Sequence, residues 1–164
     1  MSRIATVAAA QMGPIEKDEP RQSTVARMIS MMRQAKGRGA DLIVYPELAL
    51  TTFFPRYWME NEADVNAFFE KEMPNPATQP LFDEATKLGV GFNLGYAELT
   101  EENGRIRHFN TAIIVDREGK IAGKYRKVHL PGHHEHEPWR PFQHLEKAYF
   151  CLLYTSPSPR DIGE

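Results

Sequence analysis

Cysteine is almost missing from this chain of 164 residues, where Cys151 is the only one. A single thiol excludes an intrachain disulfide and leaves little to build a Cys-based zinc site from. No charge of one sign dominates. The 22 acidic and 20 basic residues leave a net charge of −2, which gives neither nucleic acid nor an anionic membrane a reason to bind. No apolar run approaches the roughly 20 residues of a membrane helix. The N-terminus lacks the charged segment and apolar stretch of a secretion signal. Together these features predict a cytoplasmic protein. With 41% hydrophobic and 26% charged residues, the composition is that of a packed globular domain, and the length suits one domain.

The hydrophobic pattern switches between two periods. Ile4 to Ala10 is a short, nearly continuous apolar run, the pattern of a buried strand. Gly13, Pro14, Glu16, Lys17, Asp18 and Pro20 then read as a loop. From Gln22, the positions Val25, Met28, Ile29, Met32 and Ala35 share one face of a helix, stopped by Gly37 and Gly39. Leu42 to Tyr45 is a second buried strand, and Pro46 suits its end. The spacing predicts helices over 61–72 and 78–88, the second burying Leu81, Phe82, Ala85 and Leu88. Val90 to Tyr96 returns to strand. Phe109 to Val115 and Ile121 to Val128 flank the turn Asp116-Arg117-Glu118-Gly119 and predict an antiparallel hairpin. The fold class is therefore α/β: a mixed sheet with helices on one face. At the other end, Thr155-Ser156-Pro157-Ser158-Pro159-Arg160 carries two prolines that oppose regular structure, so residues 155–164 are expected to pack poorly and carry no site.

A few residues have chemical potential. Glu47 follows a buried strand at its carboxyl end, the edge where open α/β sheets place ligands. Beside Leu48, Ala49 and Leu50 its carboxyl would have a raised pKa unless paired, which suits a general base; a solvated strand-end glutamate is the plainer reading. Lys124, Arg126 and Lys127 form a basic cluster. An exposed cationic strand edge accounts for the first two. Lys127 falls on the opposite face, with Gly123 and Tyr125. His129, His133, His134, His136 and His144, five of the six histidines, crowd one stretch. A metal site is the sharp reading, but no ligand spacing supports it, and the interleaved Glu135 and Glu137 favour a solvated loop. Cys151 has only Phe150, Leu152, Leu153 and Tyr154 around it in sequence. They supply neither the base nor the positive field that a reactive thiol needs.

Two stretches carry a specific resemblance. One is Val44-Tyr45-Pro46-Glu47-Leu48-Ala49-Leu50-Thr51-Thr52-Phe53-Phe54-Pro55-Arg56. The other comprises Asn110-Thr111-Ala112, Asp116, Gly119 and Gly123-Lys124-Tyr125-Arg126-Lys127-Val128-His129-Leu130-Pro131. Together, at this separation, they resemble the carbon–nitrogen hydrolase (nitrilase) superfamily over about residues 3–150. The run Arg140-Pro141-Phe142-Gln143-His144-Leu145-Glu146-Lys147, with Tyr149-Phe150, is similar to the branch that hydrolyses N-carbamoyl-D-amino acids. The resemblance implies a four-layer α-β-β-α sandwich, of which this chain is the incomplete N-terminal part, and a Glu-Lys-Cys triad. It makes Glu47 the general base, Lys127 the oxyanion-stabilising cation and Glu146 a second glutamate beside the lysine. It makes His129 and His144 pocket residues that position substrate and nucleophile. It implies no cofactor and no metal, a small N-carbamoyl amino acid as substrate, no nucleic-acid or membrane partner, and a homo-oligomeric parent.

One element of that pattern has no counterpart. The family's nucleophilic cysteine lies some tens of residues beyond the position of Tyr149-Phe150, and Cys151 follows Phe150 directly, with the wrong neighbours. The role is not transferred to it. Residues 1–150 are expected to be a partial hydrolase domain, and residues 151–164 a tail with the texture of non-native continuation. The chain itself is then expected to be inactive. Three other readings stand beside the leading one. The substrate could be a simple amide, a nitrile or an N-carbamoyl-β-amino acid. The chain could be a non-catalytic half-domain that joins family oligomers. Least favoured is a histidine-rich metal module.

Overall fold

The computed structural model describes residues 4–153. Five strands form one sheet in the order β1-β2-β3-β4-β5: β1 Val7–Ala9, β2 Leu42–Val44, β3 Gly91–Glu102, β4 Arg105–Val115 and β5 Ile121–Arg126. The first two pairings are parallel and the last two antiparallel, so the mixed sheet expected from the two periodicities is present. Parallel neighbours need a crossover. Helix α1 (Arg21–Gly37) links β1 to β2, and the link from β2 to β3 carries α2 (Glu62–Asn66) and α3 (Gln79–Leu88).

Helices α1 and α3 cover one face of the sheet. Val25, Met28, Met32 and Ala35 of α1, and Leu81, Phe82 and Ala85 of α3, pack with Ile43, Phe92, Leu94, Ile113 and Val115. Each of these leucine, phenylalanine and methionine burials contributes roughly 1.5–3 kcal/mol. Tyr45 belongs to this core and satisfies its hydroxyl by donating to the Met28 carbonyl at 2.7 Å. The structure is thus one helical layer on one sheet layer, and among the described residues no second sheet lies on the other face.

That other face presents Val7, Leu42, Val44, Asn93, Ala112, Ile114, Gly123 and Tyr125. Val7, Ile114 and Tyr125 are exposed on it. A second, mostly aromatic core packs against the far half of β3 on the face opposite α1 and α3, where Ala97 and Leu99 meet Phe54, Phe68, Phe69, Leu130, Leu145, Tyr149 and Phe150. Phe54 stacks on Phe68 with ring centroids 4.9 Å apart.

Three element predictions need correction. The N-terminal strand is only three residues long, with Thr6 leaving it to accept from the Asp41 and Leu42 amides. The helix predicted over 61–72 ends at Asn66, because Glu70 pairs with β3: its amide donates to the Ala97 carbonyl and its carbonyl accepts from Leu99. The strand predicted over Val90–Tyr96 runs on to Glu102 and turns back into β4. The turn is Asn103-Gly104, with φ values of +55° and +74°. Asn-Gly is the preferred pair for a two-residue hairpin, because both positions need a positive φ. That dipeptide was readable in the sequence. Helices α1 and α3 lie where the 3.6-residue pattern placed them.

Candidate active site

The site begins with a local distortion. Val44 closes β2 against Asn93, and the Tyr45 amide donates to the Asn93 carbonyl. The next rung along β3 is filled by Ala49, which donates to the Gly95 carbonyl at 2.9 Å. Pro46, Glu47 and Leu48 are therefore looped out between consecutive rungs. Leu48 absorbs the excursion with φ +49°, an unusual conformation for a non-glycine residue. It is tolerated because the Leu48 side chain is buried in the aromatic core. Gly95 lets the loop lie flat on β3: a Cβ there would stand 3.0 Å from the Glu47 Cα and 3.1 Å from both the Leu48 amide nitrogen and the Pro46 carbonyl oxygen.

Lys127 reaches the same place from the other side of the sheet. It continues the β5 ladder by one rung, its amide donating to the Asn110 carbonyl at 2.7 Å. Strand alternation sends its side chain away from those of Lys124 and Arg126. Glu146 begins the four-residue helix α4 (Glu146–Tyr149), which the aromatic core holds down. Leu145 donates to the Pro55 carbonyl, and the Tyr149 hydroxyl donates to that of Tyr57.

The three groups converge. The Lys127 Nζ donates to Glu47 Oε1 at 2.7 Å and to Glu146 Oε2 at 2.8 Å. Asn110 Nδ2 donates to Glu47 Oε1 at 2.6 Å and reaches Glu146 Oε2 at 3.5 Å. His144 Nε2 lies 3.2 Å from Glu146 Oε1. The two carboxylates thus differ in what remains free. Glu146 is buried, with both oxygens occupied. Glu47 has 48% of its side chain exposed, and among the described residues only its Oε1 is bonded. An ammonium has three N–H donors, and Lys127 uses two. One carboxylate oxygen and one N–H are left without a partner among the described residues, beside a cavity of about 280 Å³ lined by Glu47, Asn93, Asn110, Tyr125 and Lys127.

Electrostatics follow from this pairing. Burial alone would push the Glu47 pKa up. The hydrogen bonds from Lys127 and Asn110, with the Lys127 charge, outweigh it and hold the carboxyl below its ordinary value. The raised pKa expected for an unpaired Glu47 is therefore not what the structure produces. Lys127 behaves in mirror image: burial works to lower its pKa, and bonds to Glu146 and Glu47 keep it raised. The pairing thus favours the ionised form of Glu47 and the protonated form of Lys127.

The sequence-predicted residues separate into two groups. Glu47, Lys127, Glu146 and His144 are brought together. His129 is exposed and makes no hydrogen bond to that group among the described residues. Cys151 runs beside β4 instead: its amide donates to the His108 carbonyl at 2.7 Å, and its Sγ accepts from the His108 amide at 3.5 Å. Neither Glu47 nor Lys127 bonds to it. Among the described residues, no group of three or more His, Cys, Asp or Glu is arranged to hold a metal ion. No helix there is long and apolar enough to cross a membrane. Residues 155–164 lie outside the described residues.

Sequence reasoning missed two things. Asn110 was part of a recognised stretch but had no role, and only the fold shows that it bridges both carboxylates. The second concerns Lys124 and Arg126, which are not a solvated cationic edge. Both grip Glu98, which is only 6% exposed. Arg126 donates to both Glu98 oxygens, at 2.9 Å each, and Thr111 adds a bond at 2.7 Å. A buried carboxylate needs such partners. Glu98 gave no sign in the sequence, because its partners come from two other strands.

A mixed sheet that holds a carboxylate–lysine–carboxylate cluster at its open face defines a class rather than one activity. The family model for carbon-nitrogen hydrolases matches residues 6–154, and the chain belongs to that family. An N-carbamoylputrescine amidase from Solanum tuberosum is 30% identical over 133 residues, covering 79% of this chain and 40% of that protein. A protein called nitrilase 2, from an unknown prokaryotic organism, is 28% identical over 130 residues, covering 75% of this chain and 40% of that one. The chain thus spans about 40% of the length of these relatives. Among solved structures, a carbon-nitrogen hydrolase from Helicobacter pylori G27 superposes with a TM-score of 0.67 at 20% identity, covering 92% of this chain and 45% of that one. A variant of the amidase from Nesterenkonia sp. AN1, with acrylamide added at its active-site cysteine, gives 0.66 at 20% identity, covering 94% of this chain and 52% of that one. The fold here therefore matches about half of these nitrilase-fold structures.

Proposed function

We propose that this chain carries the base and the cation of an amidohydrolase site for linear C–N bonds, and that the whole enzyme converts N-carbamoyl-D-amino acids to D-amino acids, carbon dioxide and ammonia. One observation carries the reading: Glu47 and Lys127, 80 residues apart in sequence, meet at 2.7 Å over a buried Glu146. The likeness of the run Arg140 to Lys147 supports the N-carbamoyl-D-amino acid branch, and its His144 lies against Glu146. The curated relatives favour a second reading within the same family, in which another carbamoyl compound or a simple amide is the substrate.

The chemistry follows from the free valences. A cysteine thiol gives its proton to Glu47 Oε2, and the thiolate attacks the ureido carbonyl carbon. The carbonyl oxygen becomes an oxyanion and takes the unused Lys127 N–H. Collapse of the adduct expels ammonia, which receives its proton from Glu47, and leaves an S-carbamoyl thioester-like intermediate. Water then loses a proton to Glu47 and attacks that carbon. The thiolate departs and is reprotonated, and the carbamate product loses carbon dioxide. Glu146 touches no reacting atom in this scheme. It keeps Lys127 charged and in place, while His144 and Asn110 occupy its oxygens.

The nucleophile of this scheme is not Cys151, because general-base activation needs hydrogen-bond reach and the Cys151 thiol is bonded to the His108 amide instead. The test joins residues 1–150 to the C-terminal part of a full-length N-carbamoyl-D-amino acid hydrolase and follows ammonia release from N-carbamoyl-D-phenylalanine. Turnover that falls by at least about 10³-fold in both Glu47→Gln and Lys127→Met supports the reading. Turnover indifferent to either substitution overturns it. The 164-residue chain by itself should release no ammonia, with or without Cys151→Ala. Turnover abolished by Cys151→Ala would make Cys151 the nucleophile.

A further inference from the structure

Strand β5 has little to fix it in place along most of its length. It is the edge of the sheet and, among the described residues, pairs only with β4. None of its six residues is buried, so apolar packing hardly anchors it. Lys127 stands one residue past its end, where chain fraying is easiest. From there its ammonium has to reach Glu47, whose backbone lies over Gly95 of β3.

The opposite face of the same strands carries an ionic clamp. The Glu98 carboxylate of β3 accepts from Thr111 of β4 and from Lys124 and Arg126 of β5. One buried carboxylate thus ties three neighbouring strands together. Arg126 is fixed further, with its guanidinium 3.9 Å from the centroid of the Phe109 ring and a 2.6 Å bond to Glu102. Thr111 and Arg126 are also the last paired residues at this end of β4 and β5. One residue beyond each stand Asn110 and Lys127, joined by the 2.7 Å bond from the Lys127 amide to the Asn110 carbonyl. Successive side chains of a strand point to opposite faces, so the pair held by Glu98 and the pair at the site are back to back.

We infer that Glu98 is a positioning residue for the reaction: by clamping Thr111 and Arg126 to β3, it sets where Asn110 and Lys127 meet Glu47 on the other face. The inference rests on the amidohydrolase reading, because Lys127 is taken to meet the oxyanion. Glu98 itself touches no reacting atom. It shares a face of β3 with Phe92, Leu94 and Tyr96, which pack in the core under α1 and α3. A carboxylate this deeply buried needs its donors close, so the clamp resists lengthening on any side. Small displacements matter at the site, since a group about 1 Å out of place can cost about 10²-fold in rate.

The test reads two quantities. The first is the midpoint of the Glu47 carboxyl in the 164-residue chain, followed by carbon-detected NMR. Glu98→Gln removes a negative charge, which through space would lower that midpoint, whereas loosening the contact with Lys127 raises it. A rise is expected. The second is ammonia release from N-carbamoyl-D-phenylalanine by the fusion of residues 1–150 to the C-terminal part of a full-length hydrolase. There Glu98→Gln should lower kcat at least about tenfold and change KM little, because an oxyanion donor acts mainly in the transition state. Leu81→Ala, in the core under α3, is the control: it destabilises the fold and should move neither quantity while thermal melts show it folded. Arg126→Lys keeps the charge but loses the fork, and should show both changes at smaller size. It carries the test if Glu98→Gln does not fold. A Glu47 midpoint that stays or falls, an unchanged kcat, or equal changes in Leu81→Ala overturns the positioning role and leaves the amidohydrolase reading standing. A folded fusion that releases no ammonia, or whose turnover is indifferent to Glu47→Gln, brings down that reading, and the role of Glu98 falls with it.

Discussion

The Lys127 Nζ stands 2.8 Å from Glu146 Oε2 and 2.7 Å from Glu47 Oε1, so a single ammonium neutralises one buried carboxylate and one half-exposed carboxylate. The two contacts are not equivalent. In the first pair the Glu146 side is buried, and in the second Glu47 is about half exposed. That asymmetry leaves Glu146 with both oxygens bonded and Glu47 with one oxygen free among the described residues.

Removing the shared cation should therefore cost stability as well as chemistry. Lys127→Met leaves the Glu146 carboxyl, only 2% exposed, short of its strongest partner. Breaking a buried pair from one side costs about 3–5 kcal/mol, and the partial exposure of Lys127 points to the lower end. Urea unfolding should show this loss at neutral pH. Glu146→Gln in the Lys127→Met background should recover part of it, because a neutral amide is cheaper than a carboxyl to bury without a cationic partner.

Asn110 should set the titration of Glu47. Its Nδ2 is the second donor to Oε1, and hydrogen bonds to the ionised form lower a carboxyl pKa. Carbon-detected NMR of the Glu47 carboxyl is expected to show a higher midpoint in Asn110→Ala than in the unaltered chain. Asn110→Asp should raise it further by adding a third negative charge. An unmoved midpoint in Asn110→Ala would mean that Asn110 does not control the Glu47 titration.

The acid limb of stability should belong largely to Glu98. Burial opposes its ionised form, but bonds from Arg126, Lys124 and Thr111 prevail and carry its pKa from the ordinary 4.5 down to about 2. A pKa depressed in the folded state means stability that is complete above 4.5 and lost as the pH falls towards 2. The drop is worth about 3 kcal/mol. Glu98→Gln should lower stability at pH 7 and flatten the curve across that window. Glu47 contributes with the same sign. Lys127, raised in the folded state, contributes oppositely, losing stability as the pH climbs through its folded pKa.

Gly95→Ala should damage the site without touching a charged group. The three atoms nearest the added Cβ are backbone atoms of Pro46, Glu47 and Leu48, which cannot rotate away as a side chain would. Overpacking of this kind costs about 1–3 kcal/mol. A lower melting temperature is expected, together with a Glu47 midpoint closer to the ordinary carboxylate value as the contact with Lys127 lengthens. A variant as stable as the parent, with the same Glu47 midpoint, would show that the loop yields easily.

Local signals were legible wherever the local chain decides. The stripe Val25, Met28, Met32 and Ala35 marks a helix because 3.6 residues make a turn, and the Asp116–Gly119 turn marks a hairpin because chain reversal has few solutions. Residues 61–72 were misread because their apolar positions serve different partners. Val65 closes a short helix, and Phe68 and Phe69 feed the aromatic core, while Glu70 docks on β3. No local period encodes that arrangement. At the site, Glu47, Lys127, Glu146 and His144 were nameable from the stretches in which they stand. The role of Asn110 and the grip of Lys124 and Arg126 on Glu98 were not, since each is a contact between strands.

By itself, the sequence determined the α/β class, the helix faces, the family and the residue types available for chemistry, because these depend on periodicity and on short runs of neighbours. Only the tertiary structure decided which of those residues share a site and in what state. Glu47 is ionised, not proton-bearing, because a three-residue excursion past Gly95 brings it to Lys127. Glu146 keeps no oxygen open because it is buried with both oxygens hydrogen-bonded. Cys151 lies apart because its backbone pairs with His108. Each outcome turns on a distance of a few ångströms between groups far apart in the chain, and the strength of a hydrogen bond or ion pair changes most steeply over that range.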